Sequence, residues 1–188
     1  DCVASVILVD TPRWTWRDQI WGHLVSDASL EELHDFARQL GKRRIGFQGD
    51  HYDVSRVEHA RALEAGAVGV DSRELMRRLR KAGLRDRSKK PSWKVTYQSD
   101  HDHSMAEVAQ IVSTSITERS IQERFTKTLK SAPPLIEAHG VLMVERPNLA
   151  ALVLEFGEVL HLDPDHIDLL NRTYDRERHV VELIIGEE

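Results

Sequence analysis

Residues 49–54 read GDHYDV, so Asp50, His51 and Asp53 crowd around one tyrosine directly after a short apolar run. A packed core rejects such a group unless every charge is paired, and a surface loop does not require it. Carboxylates at this density suit a divalent cation, with Asp10, Asp50 and Asp53 as the expected ligands. His51 is the expected proton carrier. A second concentration is GHLVSD at 22–27. Read as a helix, it sets His23 and Asp27 on one face, where the carboxylate orients the imidazole for general-base work. His23, Asp27 and His51 are therefore the candidate catalytic residues. SDHDHS at 99–104 offers His101 and His103 as a further metal option, and its alternating His and Asp suit zinc. Arg73, Ser72, Tyr52, Trp14 and Trp21 complete the set as ligand contacts. Arg73 would pair with phosphate oxygens, Ser72 heads a helix whose N–H groups face an anion, and the tryptophans would stack on a base or sugar. Each has a plainer role too: Asp10 in a turn, Asp71 as a cap, the tryptophans against a sheet edge, His34 as a satisfied, partly buried histidine.

These side chains need elements to hold them. Residues 6–9 form a β-branched apolar run of strand length. Ser29 and Glu32 make a capping box, Leu30, Leu33, Ala37 and Leu40 share one helical face, and Gly41 stops that helix. Residues 44–47 read as a second strand. Ser55 and Glu58 cap a second helix with Val57, Ala60 and Leu63 inward, 67–70 is a third strand, and Ser72 opens a helix carrying Leu75, Met76 and Leu79. This order predicts an α/β fold with a mostly parallel sheet and βαβ crossovers in the first half. Such sheets bind ligands beyond their strand carboxyl ends. Asp10, Asp50, His51 and Asp71 would then meet at one edge, joined by SDHDHS after a fourth strand at 93–97.

The domains expected are an α/β unit at 1–86, a linker at 87–92, where DRSKKPS lacks any apolar residue, and an α+β extension at 93–188. In the extension, Ser104 caps a helix, 121–129 is helical, and 141–145 is a strand. Pro147 starts an apolar helix over 149–160, Asp163 and Pro164 start a short one, and 179–185 is the last strand. The extension would complete the sheet or mediate homo-oligomerisation.

With 188 residues, 40% apolar, 30% charged and a net charge of −5, the chain is globular and poorly suited to coating nucleic acid. The basic run 73–90 reads as a solvated helix face and linker. Cys2 is the single cysteine, which predicts a reducing, cytoplasmic location. No apolar stretch approaches the roughly 20 residues of a membrane span, and 6–10 is too short for a signal peptide. Phosphate-loop, CxxC, HExxH and GxSxG motifs are absent.

Taken together, Asp10-Thr11-Pro12-Arg13-Trp14, residues 21–27, residues 29–36, Asp50-His51-Tyr52-Asp53-Val54, Ser72-Arg73-Glu74-Leu75 and Gly83-Leu84-Arg85 resemble a family of short bacterial and phage proteins filed as a domain of unknown function. The resemblance covers residues 5–86. It implies a compact unit in a bacterium or phage-infected host and carries no activity. Where such proteins have a proline and a histidine between the tryptophans, this chain has Thr15-Trp16-Arg17-Asp18.

Three functions are open to this sequence. The first is binding of a phosphorylated, nucleotide-like small molecule at the strand carboxyl ends, with Mg or Mn (Zn if His101 and His103 take part) assisting phosphoester hydrolysis. The second is a non-catalytic phage protein that binds and blocks a host protein, motivated by acidic charge and the apolar helix at 149–160. A nuclease is the third, and its groove would need more positive charge than the chain supplies outside 73–90.

Overall fold

The computed structural model describes residues 4–86 and 92–186. The chain divides into two compact units, Asp1–Pro91 and Ser92–Glu188. The expected linker, apart from Ser92, and Cys2 lie outside the described residues.

In the first unit, β1 (Ile7–Asp10) leads into a hairpin of β2 (Trp14–Trp16) and β3 (Gln19–Ser26). Arg17 and Asp18 turn it with φ of 48° and 60°, and two successive left-handed residues give a turn whose twist matches that of the strands. Then follow α1 (Leu30–Gln39), β4 (Tyr52–Ser55), α2 (Arg56–Glu64), β5 (Val68–Val70) and α3 (Ser72–Lys81). The caps act as their spacing predicts. Ser29 accepts from the Glu32 N–H, Ser55 and Glu58 form a reciprocal box, and Asp71 accepts from the Glu74 N–H.

The sheet is mixed, so the mostly parallel arrangement is corrected. β3 runs antiparallel to β1, β2 and β4, and only β1 and β5 are parallel. Leu24 pairs with both Val9 and Tyr52, which sets β1 and β4 on opposite edges of β3. Two local readings fail here. Residues 22–26 belong to a strand rather than a helix, with Asp27 just beyond it, and 44–47 holds a 3-10 turn, Arg44–Gly46, followed by a lone bridge from Phe47 to Tyr52. The strand lies later, within GDHYDV itself. Asp10 therefore ends β1 while Asp50 precedes β4, and no row of parallel strand tips exists.

What gathers the polar residues is the period-two alternation of strands. Ile7, Val9, Leu24, Tyr52 and Val54 pack with Leu33 and Ala37 of α1 and Ala62 of α2 on one face. Leu8 and Val25 pack with Leu75 and Leu79 of α3 on the other. On α2 it is Ala62 that is buried, while Val57 and Leu63 are exposed.

The second unit holds β6 (Lys94–Ser99), β7 (His103–Ser104), α4 (Met105–Ser115), α5 (Arg119–Lys130), β8 (Glu137–Ala138), β9 (Gly140–Arg146), β10 (Leu149–Phe156), β11 (Leu169–Asp175) and β12 (Arg178–Gly186). Its main sheet is antiparallel in the order β11-β12-β10-β9-β6, so β6 is no fourth strand of the first sheet. The helix expected at 149–160 is a correction. β10 is a central strand, turned from β9 through Asn148 at φ 64°. Ala150, Leu152, Leu154 and Phe156 face α4 and α5, and the alternate residues Ala151 and Val153 are buried as well. A strand buried on both faces reads as an unbroken apolar run, which periodicity alone does not separate from a helix. The greasy helix that motivated a host-binding surface therefore does not exist. No described helix is long and apolar enough to cross a membrane.

Candidate metal centre

Asp10 is two residues beyond Leu8, His23 is two before Val25, and Asp53 lies between the inward-facing Tyr52 and Val54. Alternation thus sends all three toward the face covered by α3. His23 is the direct register partner of Asp53.

Asp10 is 1% exposed, yet its charge is fully engaged. Its Oδ1 accepts the His23 backbone N–H at 2.6 Å, and its Oδ2 lies 3.0 Å from His23 Nδ1. Burial pushes the Asp10 carboxyl up, but the His23 ring and backbone, together with the Ser72 hydroxyl, outweigh it and hold the group below the ordinary carboxylate value. This approach requires Gly22. A Cβ there would lie 2.7 Å from the Asp10 carbonyl oxygen and 3.0 Å from Oδ1.

Asp50, also 1% exposed, makes the matching pair. Its Oδ1 lies 2.6 Å from His51 Nδ1, and its Oδ2 accepts from Arg85 Nη1 and the Asp86 N–H, each at 3.0 Å. His51 Nε2 is 3.2 Å from Asp53 Oδ1. Burial alone would push the His51 imidazole down; the hydrogen bonds it donates to Asp53 and Asp50, with their negative charge, reverse that and raise it above the ordinary value.

An ionised carboxylate only accepts hydrogen bonds, so Asp10 and Asp50 fix the proton on Nδ1 of their histidines and leave Nε2 as the nitrogen that could meet a metal. The two rings meet edge to face with centroids 5.1 Å apart. One ligating atom from each of His23, His51 and Asp53 falls within 4.8 Å of the others. Donors roughly 2.1 Å from a metal sit roughly 3–4 Å apart, a spacing that His51 Nε2 and Asp53 Oδ1, 3.2 Å apart, already meet. They open on a cavity of ≈ 330 Å³ lined also by Trp14, Gln48, Leu75, Met76, Leu79 and Arg85. The Trp14 ring packs at a tilt against His23, with centroids 4.4 Å apart. Asp10, Asp50 and Asp53 against Arg85 leave two net negative charges, which one divalent cation balances.

Several expected roles change. Asp10 and Asp50, expected as metal ligands, have their oxygens engaged by protein donors and face the histidine rings. The carboxylates that hold Nδ1 leave Nε2 of His23 and His51 open to a metal as well as to a proton. Asp27 is not their partner, since it accepts from the Val6 N–H at 2.7 Å and binds Arg78. Ser72 reaches the site only through Asp10. Arg73 is exposed and off the cavity wall, and Arg85 supplies the cation instead. Tyr52 is buried in the opposite core, its hydroxyl 2.8 Å from His34 Nδ1. Burial, reinforced by Arg44, pushes His34 down to about 3, so it is a neutral structural histidine. Trp21 pairs with Trp14 across the hairpin and donates to the Trp16 carbonyl, away from the cavity lining. His101 and His103 lie in the second unit, and both ring nitrogens of His103 are engaged by Ser99 and Glu107. Gln48 carries no motif that would have singled it out, and Arg85 entered only as the end of the Gly83-Leu84-Arg85 stretch, with no role attached. Thr15 to Asp18, where the chain departs from the proteins it resembles, fall on the hairpin and line no part of the cavity.

Residues 7–82 match the model of a family described as protein of unknown function, DUF4031. The matched segment runs from β1 through α3 and holds Asp10, His23, Asp50, His51 and Asp53; Arg85 lies beyond it. Neither the curated proteins nor the solved structures contain a match to this chain.

Proposed function

We propose that the first unit is a mononuclear divalent-metal centre, ligated by His23, His51 and Asp53, that hydrolyses a small phosphoester of nucleotide-like size. The observation that carries this reading is the duplicated pair. Two imidazoles are each held by a fully buried carboxylate and converge with a third, accessible one. Metal-ligating histidines commonly donate their second N–H to such a carboxylate, which orients the ring and raises its basicity.

Two nitrogens and one oxygen suit Zn, Mn or Fe better than Mg, which favours all-oxygen shells. Held by His23, His51 and Asp53, the ion would supply Lewis acidity, lowering the pKa of water toward neutral and polarising an ester. The protein's part is to hold the imidazoles, to offer the Trp14 ring as a stacking surface and to set the Arg85 guanidinium on the wall. Leu75, Met76 and Leu79 give the cavity a dry side.

Calorimetric titration of the metal-stripped chain with Zn²⁺, Mn²⁺ and Mg²⁺ tests the centre, followed by phosphate release from a panel of nucleotides and simple phosphoesters. One Zn²⁺ or Mn²⁺ per chain is expected, with binding lost in His51→Ala and Asp53→Ala and turnover dependent on the ion. Unchanged binding in both variants removes the centre. Metal binding without turnover of any ester removes the phosphoester assignment.

A further inference from the structure

The second unit contains a nucleophile arrangement that the metal centre does not use. Ser99, the last residue of β6, has its Oγ 2.6 Å from His103 Nε2. His103 Nδ1 lies 3.1 Å from Glu107 Oε2, one turn into α4. The carboxylate accepts, so the imidazole proton sits on Nδ1 and the Nε2 lone pair faces the serine hydroxyl. That is the order nucleophile, base and orienting acid required to activate a serine.

Local structure explains the alignment. The chain leaves β6 at Ser99 and re-enters a two-residue strand at His103, held by pairing with Ala138. Ser104 then caps α4 by accepting from the Glu107 N–H, which brings Glu107 under the ring of His103. His103 is 6% exposed and wedged between the Tyr97 ring, 6.1 Å away, and the His101 ring, 4.2 Å away. The Tyr97 hydroxyl is the only other contact at Nε2 among the described residues, at 3.4 Å, well beyond the serine. Ser99 itself is half-buried, and β6 ends the sheet order, leaving its outer edge unpaired by any described strand.

We infer that Ser99, His103 and Glu107 form a second, metal-independent site in which Ser99 is a nucleophile toward ester carbonyls presented from solvent at the β6 edge. In the step, Ser99 Oγ bonds to the carbonyl carbon and its proton passes to His103 Nε2. The alkoxide leaves as the C–O bond breaks and takes that proton; water then releases the acyl group by the same relay. Glu107 is a positioning residue.

The test is labelling of the full chain by a fluorophosphonate in the presence of EDTA. There Ser99 Oγ bonds to phosphorus, fluoride leaves and the proton goes to His103. Intact mass should show one adduct, mapped to Ser99 and absent from Ser99→Ala. In His103→Gln the rate should fall by about 10²-fold or more. His103 is buried and that variant could lose its fold, so Glu107→Gln is the companion. Its side chain is 62% exposed; labelling should slow about tenfold, because the amide no longer fixes the imidazole proton on Nδ1, and Glu107→Asp should recover part of the rate. No adduct, an adduct on another residue, or a rate unchanged in Glu107→Gln overturns the assignment.

Discussion

Replacing Gly22 with alanine probes whether close contact between neighbouring strands builds the site. The added Cβ would meet the Asp10 carbonyl oxygen at 2.7 Å, Asp10 Oδ1 at 3.0 Å and the Pro12 nitrogen at 3.3 Å. Two of these are backbone atoms, so no side-chain rotation relieves the clash; β1 and β3 must separate by several tenths of an ångström. Overpacking of this kind costs about 1–3 kcal/mol. The separation also pulls Asp10 from the His23 ring, and loss of such an orienting partner lowers metal affinity by about 10–100-fold. Gly46→Ala is the control, because its Cβ would meet only Tyr52 Cδ1 at an ordinary 3.9 Å. Urea denaturation and zinc titration of both variants beside the parent chain give the comparison. Gly22→Ala should lose stability and affinity together while Gly46→Ala stays within about 0.5 kcal/mol. If Gly22→Ala matches the parent in both measurements, the packing argument for Asp10 and His23 is wrong.

Three further outcomes follow from the same geometry. Asp50→Asn should weaken zinc binding by about 10–100-fold in calorimetry, because the amide no longer fixes the proton of His51 on Nδ1. His51, raised in the metal-free protein by Asp53 and Asp50, contributes stability that is fully present below its ordinary value of 6.5 and is lost as pH rises through the raised one. Zinc must displace the Nε2 proton, so affinity should fall about tenfold per pH unit below that raised value. His34, lowered to about 3 from 6.5, acts in the opposite direction. It is neutral in both states above 6.5, and its contribution is lost as pH falls from there toward 3, by about 2 kcal/mol at pH 5. Urea denaturation at pH 7.5 and pH 5 should show that loss in the parent chain and not in His34→Gln.

The sequence made the chemistry easier to read than its geometry. Ser29, Ser55 and Ser104 mark helix starts reliably because a cap is a local hydrogen bond, complete within four residues. GDHYDV stands out because two acids and an imidazole exceed what any cap needs. Which of them touch an ion depends on the face each one takes, and that follows only once the stretch is known to lead into a strand. His51 and Asp53, two apart with Tyr52 between them, are then a strand signature. The same applies to 22–27, where Gly22, Leu24 and Ser26 alternate with His23 and Val25. Reading that stretch as a helix paired His23 with Asp27 and hid its true partner, Asp10, on the neighbouring strand. β10 failed for the opposite reason, since burial on both faces erases alternation. The role of Arg85, quoted only as part of the Gly83-Leu84-Arg85 stretch, lay beyond reach, because its contact with Asp50 joins residues 35 positions apart.

Anomalous diffraction from crystals soaked in zinc or manganese tests the central claim most directly. A single strong peak bounded by His23, His51 and Asp53 is expected, with Asp10 and Asp50 still bonded to the two rings. A peak at Asp10 or Asp50 themselves, a peak only at His101 in the second unit, or none at all would contradict it.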